Sequence, residues 1–154
     1  MAEINTLEEK LAEVTGLAQA STGAIDKIEP MIDDEDVSAD LKKAKEEAEE
    51  TVERCNAIID RREGKKTAIL DKARETKTEA TEMMETYLGD ESDGLDGLEF
   101  LTMTEAGEVG HWAILGKLNE KAGEDEIGEL VDWALPIQER HLSDVRKNLS
   151  LIHI

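Results

Sequence analysis

The sequence predicts an all-α fold: a four-helix bundle of two antiparallel helical hairpins, with an extra helix in the crossover between them. Three observations carry that expectation. Ala, Glu, Lys and Leu are abundant, whereas only four residues are aromatic and two are proline. No segment sustains the period-2 alternation of β-branched residues that marks a strand. Apolar residues recur instead at helical spacing along successive stretches of the chain.

The first helix, A, is expected from about residue 6 to 31. Leu7, Leu11, Val14, Ala18, Ser21, Ile25, Ile28 and Ile32 follow 4-3-4-3 spacing, a narrow seam that faces other helices. Pro30 and the run Asp33-Asp34-Glu35-Asp36 end it. Helix B is expected over about 37–62, with Asp36 or Ser38 as N-cap and Gly64 as a left-handed C-terminal residue. Its seam reads Val37, Leu41, Ala44, Ala48, Thr51, Cys55 and Ile58.

A crossover helix over about 67–88 has a weaker apolar side of Ile69, Leu70, Ala73, Ala80, Met83, Met84 and Tyr87. The Met and Tyr residues read as packing or as a subunit contact. The glycines and acids of residues 88–97 then break the chain. Helix C is expected over about 95–121 with Gly123 as C′ residue, and helix D over about 125–152. Acids 124–126 place negative charge at the positive end of helix D. Pro136, inside helix D, removes the bond to the Asp132 carbonyl and is expected to kink or bulge the helix just before Gln138. Hairpins of roughly 25-residue helices, about 40 Å long, suit one bundle domain over residues 1–154.

Thirty-eight acidic against 18 basic residues give a net charge of −20. Such a chain repels phosphate backbones and anionic lipid, so neither nucleic acid nor a membrane is expected as a partner. The start of the chain lacks a basic n-region and an apolar h-region, and no apolar stretch reaches membrane-spanning length. The expectation is a cytoplasmic protein. Cys55 is the single cysteine, which excludes an internal disulfide and a CxxC metal knuckle; on a core seam it reads as a small buried hydrophobe. The segment Asp90-Glu91-Ser92-Asp93-Gly94 shares only composition with a calcium loop, because Ser92 and Gly94 fall where ligands are required.

Polar residues interrupt the seams of helices C and D. Positions 98, 101, 105, 108, 112 and 115 read Leu, Leu, Glu, Glu, Trp, Leu, so Glu105 and Glu108 point into the bundle. His111 lies on the edge of that stripe. On helix D, Gln138 and His141 interrupt the line of Ile127, Val131, Ala134, Val145 and Ile152. Measured from Gly123, Glu108 and Gln138 are each 15 positions away, and Glu105 and His141 each 18. The four side chains therefore meet at one depth.

The segments Glu105–Leu115 and Trp133–Leu142 resemble the second hairpin of the ferritin-like superfamily, which includes rubrerythrins and stress-associated proteins. The order of elements, with a crossover between hairpins, is similar too. Those bundles take one Glu from each of two helices and a Glu-x-x-His pair from each of the other two to hold two metal ions. The resemblance makes Glu108 the helix C carboxylate with Glu105 one turn away, and puts Gln138 and His141 where helix D places Glu-x-x-His. It also implies a stress or metal-handling role, with oxidase or peroxidase chemistry if iron or manganese is bound.

The pattern departs from that family in several ways. Gln138 replaces a glutamate and is a weaker ligand for a hard cation. Glu139 is turned about 100° away. Helix A offers Ala18 and Ser21 at the matching depth, and on helix B Glu47, Glu50 and Glu53 lie beside the seam. Three readings follow. Within the candidate set Glu105, Glu108, His111, Gln138 and His141, the two histidines and one glutamate could hold a single Fe, Mn or Zn ion. They could be a half-set completed by a second subunit of a homodimer or larger oligomer. Or Glu105–His141 and Glu108–Gln138 are hydrogen-bonded pairs left by a degenerate site in a metal-free, non-enzymatic interaction or scaffold protein.

Overall fold

In a computed structural model, which describes residues 3–152, five α-helices and two 3-10 turns account for nearly every position. Asn5 starts α1 (Thr6–Ile28) through a reciprocal capping box: its side chain accepts from the Glu8 N–H at 2.8 Å, and Glu8 accepts from the Asn5 N–H at 2.9 Å. A 3-10 turn, Glu29–Met31, holds Pro30 and completes the stretch expected as helix A.

The N-cap of α2 (Glu35–Asp60) is Asp34, not Asp36 or Ser38. Its Oδ1 accepts from the Asp36 and Val37 N–H groups at 2.9 and 3.0 Å, which places Asp36 inside the first turn. Gly64 sits at φ 74° in the turn that follows, ahead of α3 (Lys66–Tyr87). A second capping box, Asp93 with Asp96, opens α4 (Gly94–Ala122). Gly123 ends α4 at φ 69°, and its N–H donates to the Asn119 carbonyl. The Asn119 side chain clamps the turn into α5 (Asp125–Asn148) by bonding both the N–H and the carbonyl of Glu124. The α5 helix stays α-helical through Pro136, with no bulge, and finishes in a 3-10 turn, Leu149–Leu151, short of residue 152.

Contacts along the helices set their directions. Glu8 meets Arg62 and Asp26 meets Lys45, so α1 and α2 are antiparallel. Ile28 packs on Gly97 while Glu13 faces His111, so α1 and α4 are antiparallel as well. Asp40 bonds Asn148 and Arg61 pairs with Glu126, which makes α2 and α5 antiparallel. The chain therefore returns along α3, parallel to α1, with Lys65 on Glu8 at one end and Lys27 on the Leu88 carbonyl at the other.

That position of α3 widens the buried face of α1. Beyond the expected seam, Ala12, Thr15, Gly16 and Ala24 are buried. A Cβ on Gly16 would fall 2.3 Å from the Ala73 carbonyl oxygen, so only glycine permits the approach of α3. On α3 itself the buried residues are Ile69, Ala73 and Met84; Met83 and Tyr87 stand out at 66 and 44 % exposure. Met84 is thereby a core residue and not a surface contact.

Apolar side chains form two clusters. One gathers Leu7, Leu11, Cys55, Ile59, Ile69, Trp112, Leu115 and Ile127; the other gathers Ile25, Ile28, Leu41, Met84, Leu98, Leu101 and Val145. Between them lies a layer of small and polar residues. No described helix is long and apolar enough to cross a membrane.

Candidate functional site

The layer between the two clusters contains the polar residues that interrupt the seams. Glu105 and Glu108 on α4 are 2 and 4 % exposed, and Gln138 and His141 on α5 are 1 and 4 % exposed. The register counted from Gly123 therefore holds across the hairpin. With its amide oriented to satisfy both neighbours, the Gln138 nitrogen donates to Glu105 Oε2 at 3.0 Å and to Glu108 Oε2 at 3.1 Å. His141 Nδ1 lies 3.6 Å from the same Glu105 oxygen. Of the two hydrogen-bonded pairs expected across the hairpin, Glu108–Gln138 is a hydrogen bond in this orientation, whereas Glu105–His141 is a longer ion-pair contact.

Two further helices complete the layer. From α1, Ser21 faces the Glu108 carboxyl and acts to lower its pKa. From α2, Glu47 Oε1 lies 3.2 Å from His141 Nε2 and also pairs with Arg140. Ala44 and Ala48, one on each side of Glu47 along α2, leave room for its side chain to turn inward from beside the seam. The result is one line of polar neighbours across α1, α4, α5 and α2: Ser21, Glu108, Gln138, Glu105, His141, Glu47, Arg140. Ser21 sits on the α1 seam at this depth, with no partner legible in the sequence. Glu47 lies beside the α2 seam and Arg140 off the α5 seam, so periodicity alone brings neither into the layer. The available signal was the antiparallel match of α2 with α5, which puts Glu47 opposite Arg140-His141.

His111 does not join this layer. Its Nδ1 turns back to the Gly107 carbonyl at 2.8 Å, its Nε2 is 3.9 Å from Glu13 on α1, and its side chain is 40 % exposed. Its position at the edge of the stripe lets the ring satisfy itself on its own helix. Cys55 is fully buried in the first apolar cluster, where burial pushes its thiol up to about 12, far from thiolate chemistry at neutral pH.

Electrostatics divide the layer. Burial, reinforced by the charge of Glu105, pushes the Glu108 carboxyl well above the usual range, and the Ser21 hydrogen bond only partly opposes this. Burial alone would disfavour a charged His141, but Glu105 and Glu47 outweigh it and raise its pKa. Burial likewise opposes charge on Glu47, and Arg140 with His141 outweighs it to hold that carboxyl below its usual value. Glu108 thus favours the neutral acid, while His141, Glu47 and Arg140 form a charged group at the α2–α5 seam.

As they lie, these side chains do not fit a resident dinuclear metal centre. The amide of Gln138 points its hydrogens at the two carboxylates that would have to share the ions. Among the described residues, no group of three or more His, Cys, Asp or Glu side chains is arranged to hold a metal ion.

No family model matches the chain, and no curated protein does. Over its whole length it is similar to a solved structure described as "YcfI, a putative structural protein from Rhodopseudomonas palustris". The TM-score is 0.68 at 19 % identity, covering 99 % of this chain and 98 % of that one. That likeness establishes a shared fold.

Proposed function

We propose that this chain is a ferritin-like bundle whose metal site has degenerated, and that it acts as a non-catalytic structural or interaction protein. The observation that carries the proposal is Gln138. A neutral amide occupies the position of a ligand carboxylate and bridges Glu105 and Glu108 by donating to both. The carboxylates are satisfied by protein donors, and a metal would have to displace them. Topology supports the relationship: α3 returns the chain along the bundle, so that α2 and α4 run parallel, as a crossover between hairpins requires. The similar Rhodopseudomonas palustris protein carries a structural description, in keeping with this reading.

In this role the polar layer sets helix register. Buried polar groups such as Glu105, Glu108, Gln138 and His141, which find their partners in one another, penalise alternative helix pairings. Self-association belongs to the same proposal, with Met83 on α3 and Met103 and Ile114 on α4 as the exposed apolar residues available for it.

A second reading, a single transition-metal ion, rests on the nearness of the Glu105 and Glu108 carboxylates to Gln138, and of Glu105 to His141. Elemental analysis after loading with Fe(II) or Zn(II) separates the two. The structural proposal expects no stoichiometric retention, in the wild type or in Gln138→Glu. Stoichiometric Fe or Zn in the wild type, lost in Glu108→Gln, would overturn it.

A further inference from the structure

We infer that the outer face of α4 is a two-fold contact, on which a second copy of this chain packs with its own α4 running antiparallel. The inference rests on the self-association within the proposed structural role and assigns it a surface. Away from the bundle, α4 presents Met103, Ala106, Gly107, Gly110, Ala113 and Ile114 as one helical stripe, all exposed and none charged, in a chain with 36 % charged residues. Met103 and Ile114 are 52 and 47 % exposed. An exposed apolar stripe of this kind marks a contact surface.

The two glycines have no role within the single chain. A Cβ on Gly97 would collide with the Ile28 side chain, whereas at Gly107 or Gly110 it would meet nothing within 4 Å. Glycine inside a helix costs stability relative to alanine, and internal packing demands neither of these two. A bare backbone on an outer face permits the close approach of another helix.

Charge selects a second copy as the occupant. Asp96 and Glu99 stand at one end of the stripe, and Lys117 and Lys121 at the other. Asp96 with Lys121, Met103 with Ile114, and Gly107 with Gly110 are each centred on the peptide bond between Glu108 and Val109. Glu99 with Lys117 is centred within one position of it. Turned about a two-fold axis at that bond, the stripe meets itself with glycine beside glycine, Met103 against Ile114 and acid against base. This is the self-complementarity that an isologous contact requires. A parallel copy would set acid on acid and base on base. Lys117 is not committed elsewhere: its partner in the single chain is Glu120, 3.1 Å away in an exposed pair that solvent screens. On the α5 side of the stripe, an open groove of about 380 Å³ lined by Ala113, Lys117, Val131 and Leu135 leaves room for the flexible side chain of a partner's methionine.

Sedimentation equilibrium of the full chain over a range of protein concentrations tests the surface. The expected result is a reversible monomer–dimer equilibrium. Gly110→Leu should weaken the dimer about tenfold or more by holding the two helices apart. It should not lower Tm in dilute solution, because the new side chain has open space on the single chain. Glu99→Lys and Lys117→Glu should each weaken the dimer several-fold, and the two together in one chain should restore it. A dimer unchanged by Gly110→Leu, or one that both reversals weaken and the double variant fails to restore, overturns the inference and leaves self-association to another face. A chain that stays monomeric at every concentration overturns the inference together with the self-association it rests on. The degenerate site stands or falls separately, because its test reads retained Fe or Zn.

Discussion

His141 Nε2 and Glu47 Oε1 lie 3.2 Å apart across the seam between α2 and α5, although 94 positions separate them in the chain. This contact joins the second hairpin to the first at the depth where apolar packing is interrupted. Arg140 reinforces it from the same helix, and Asn148–Asp40 repeats the pattern further along.

Stability should depend on pH through that pair. The pKa of His141 is raised in the folded state, so its contribution is fully present below the ordinary value of 6.5 and is lost as pH rises through the folded value. Glu47 is lowered, so its contribution is present above 4.5 and is lost as pH falls through its folded value. Urea unfolding as a function of pH is expected to show both limbs. His141→Gln should flatten the alkaline limb and weaken the acid limb, which Arg140 alone then supports.

Glu108 is raised, so its buried carboxyl is best tolerated below 4.5, and a penalty grows as pH rises toward its folded value. Glu108→Gln keeps hydrogen-bonding capacity for Gln138 and Ser21 and removes the titration. It should match or exceed wild-type stability at neutral pH. Glu108→Leu leaves Ser21 and one Gln138 proton unsatisfied and should cost about 1–3 kcal/mol. Equal stability of these two variants would show that the polar layer is not energetically coupled.

Gly16 and Gly107 provide a matched pair. An alanine at 16 meets the Ala73 backbone oxygen, which cannot move without displacing α3, and should destabilise by roughly 1–3 kcal/mol. Gly107 has nothing within 4 Å of an added Cβ, so Gly107→Ala should stabilise by about 0.5–1 kcal/mol through helix propensity. Denaturant midpoints of the two variants should move in opposite directions.

The neighbouring methionines on α3 should separate folding from association. Met84→Ala opens space in the second apolar cluster and should cost about 2–4 kcal/mol, read by thermal unfolding. Met83→Asp should leave Tm nearly unchanged and shift the sedimentation profile if α3 mediates self-association. A shift with Met84→Ala alone would reverse the roles of the two residues.

Much of the molecule was legible in one dimension. Helix periodicity, Gly123 as a left-handed stop and the fixed rise per residue were enough to locate five helices and to bring Glu105, Glu108, Gln138 and His141 to one depth. All of these are local or follow from one short turn. The inward positions of the two glutamates followed from the apolar residues that bracket them. What the sequence could not decide was which helix covers which. Docking α3 parallel to α1 buried Ala12, Thr15 and Gly16 outside the seam, an effect of contacts more than 50 positions apart. The same holds for Glu47, drawn inward by helix pairing, and for His111, which meets its own helix carbonyl. Side chains at the edge of a helical stripe can face either way. Periodicity fixes the angle at which a side chain leaves its helix, and only the neighbouring helix determines what it meets.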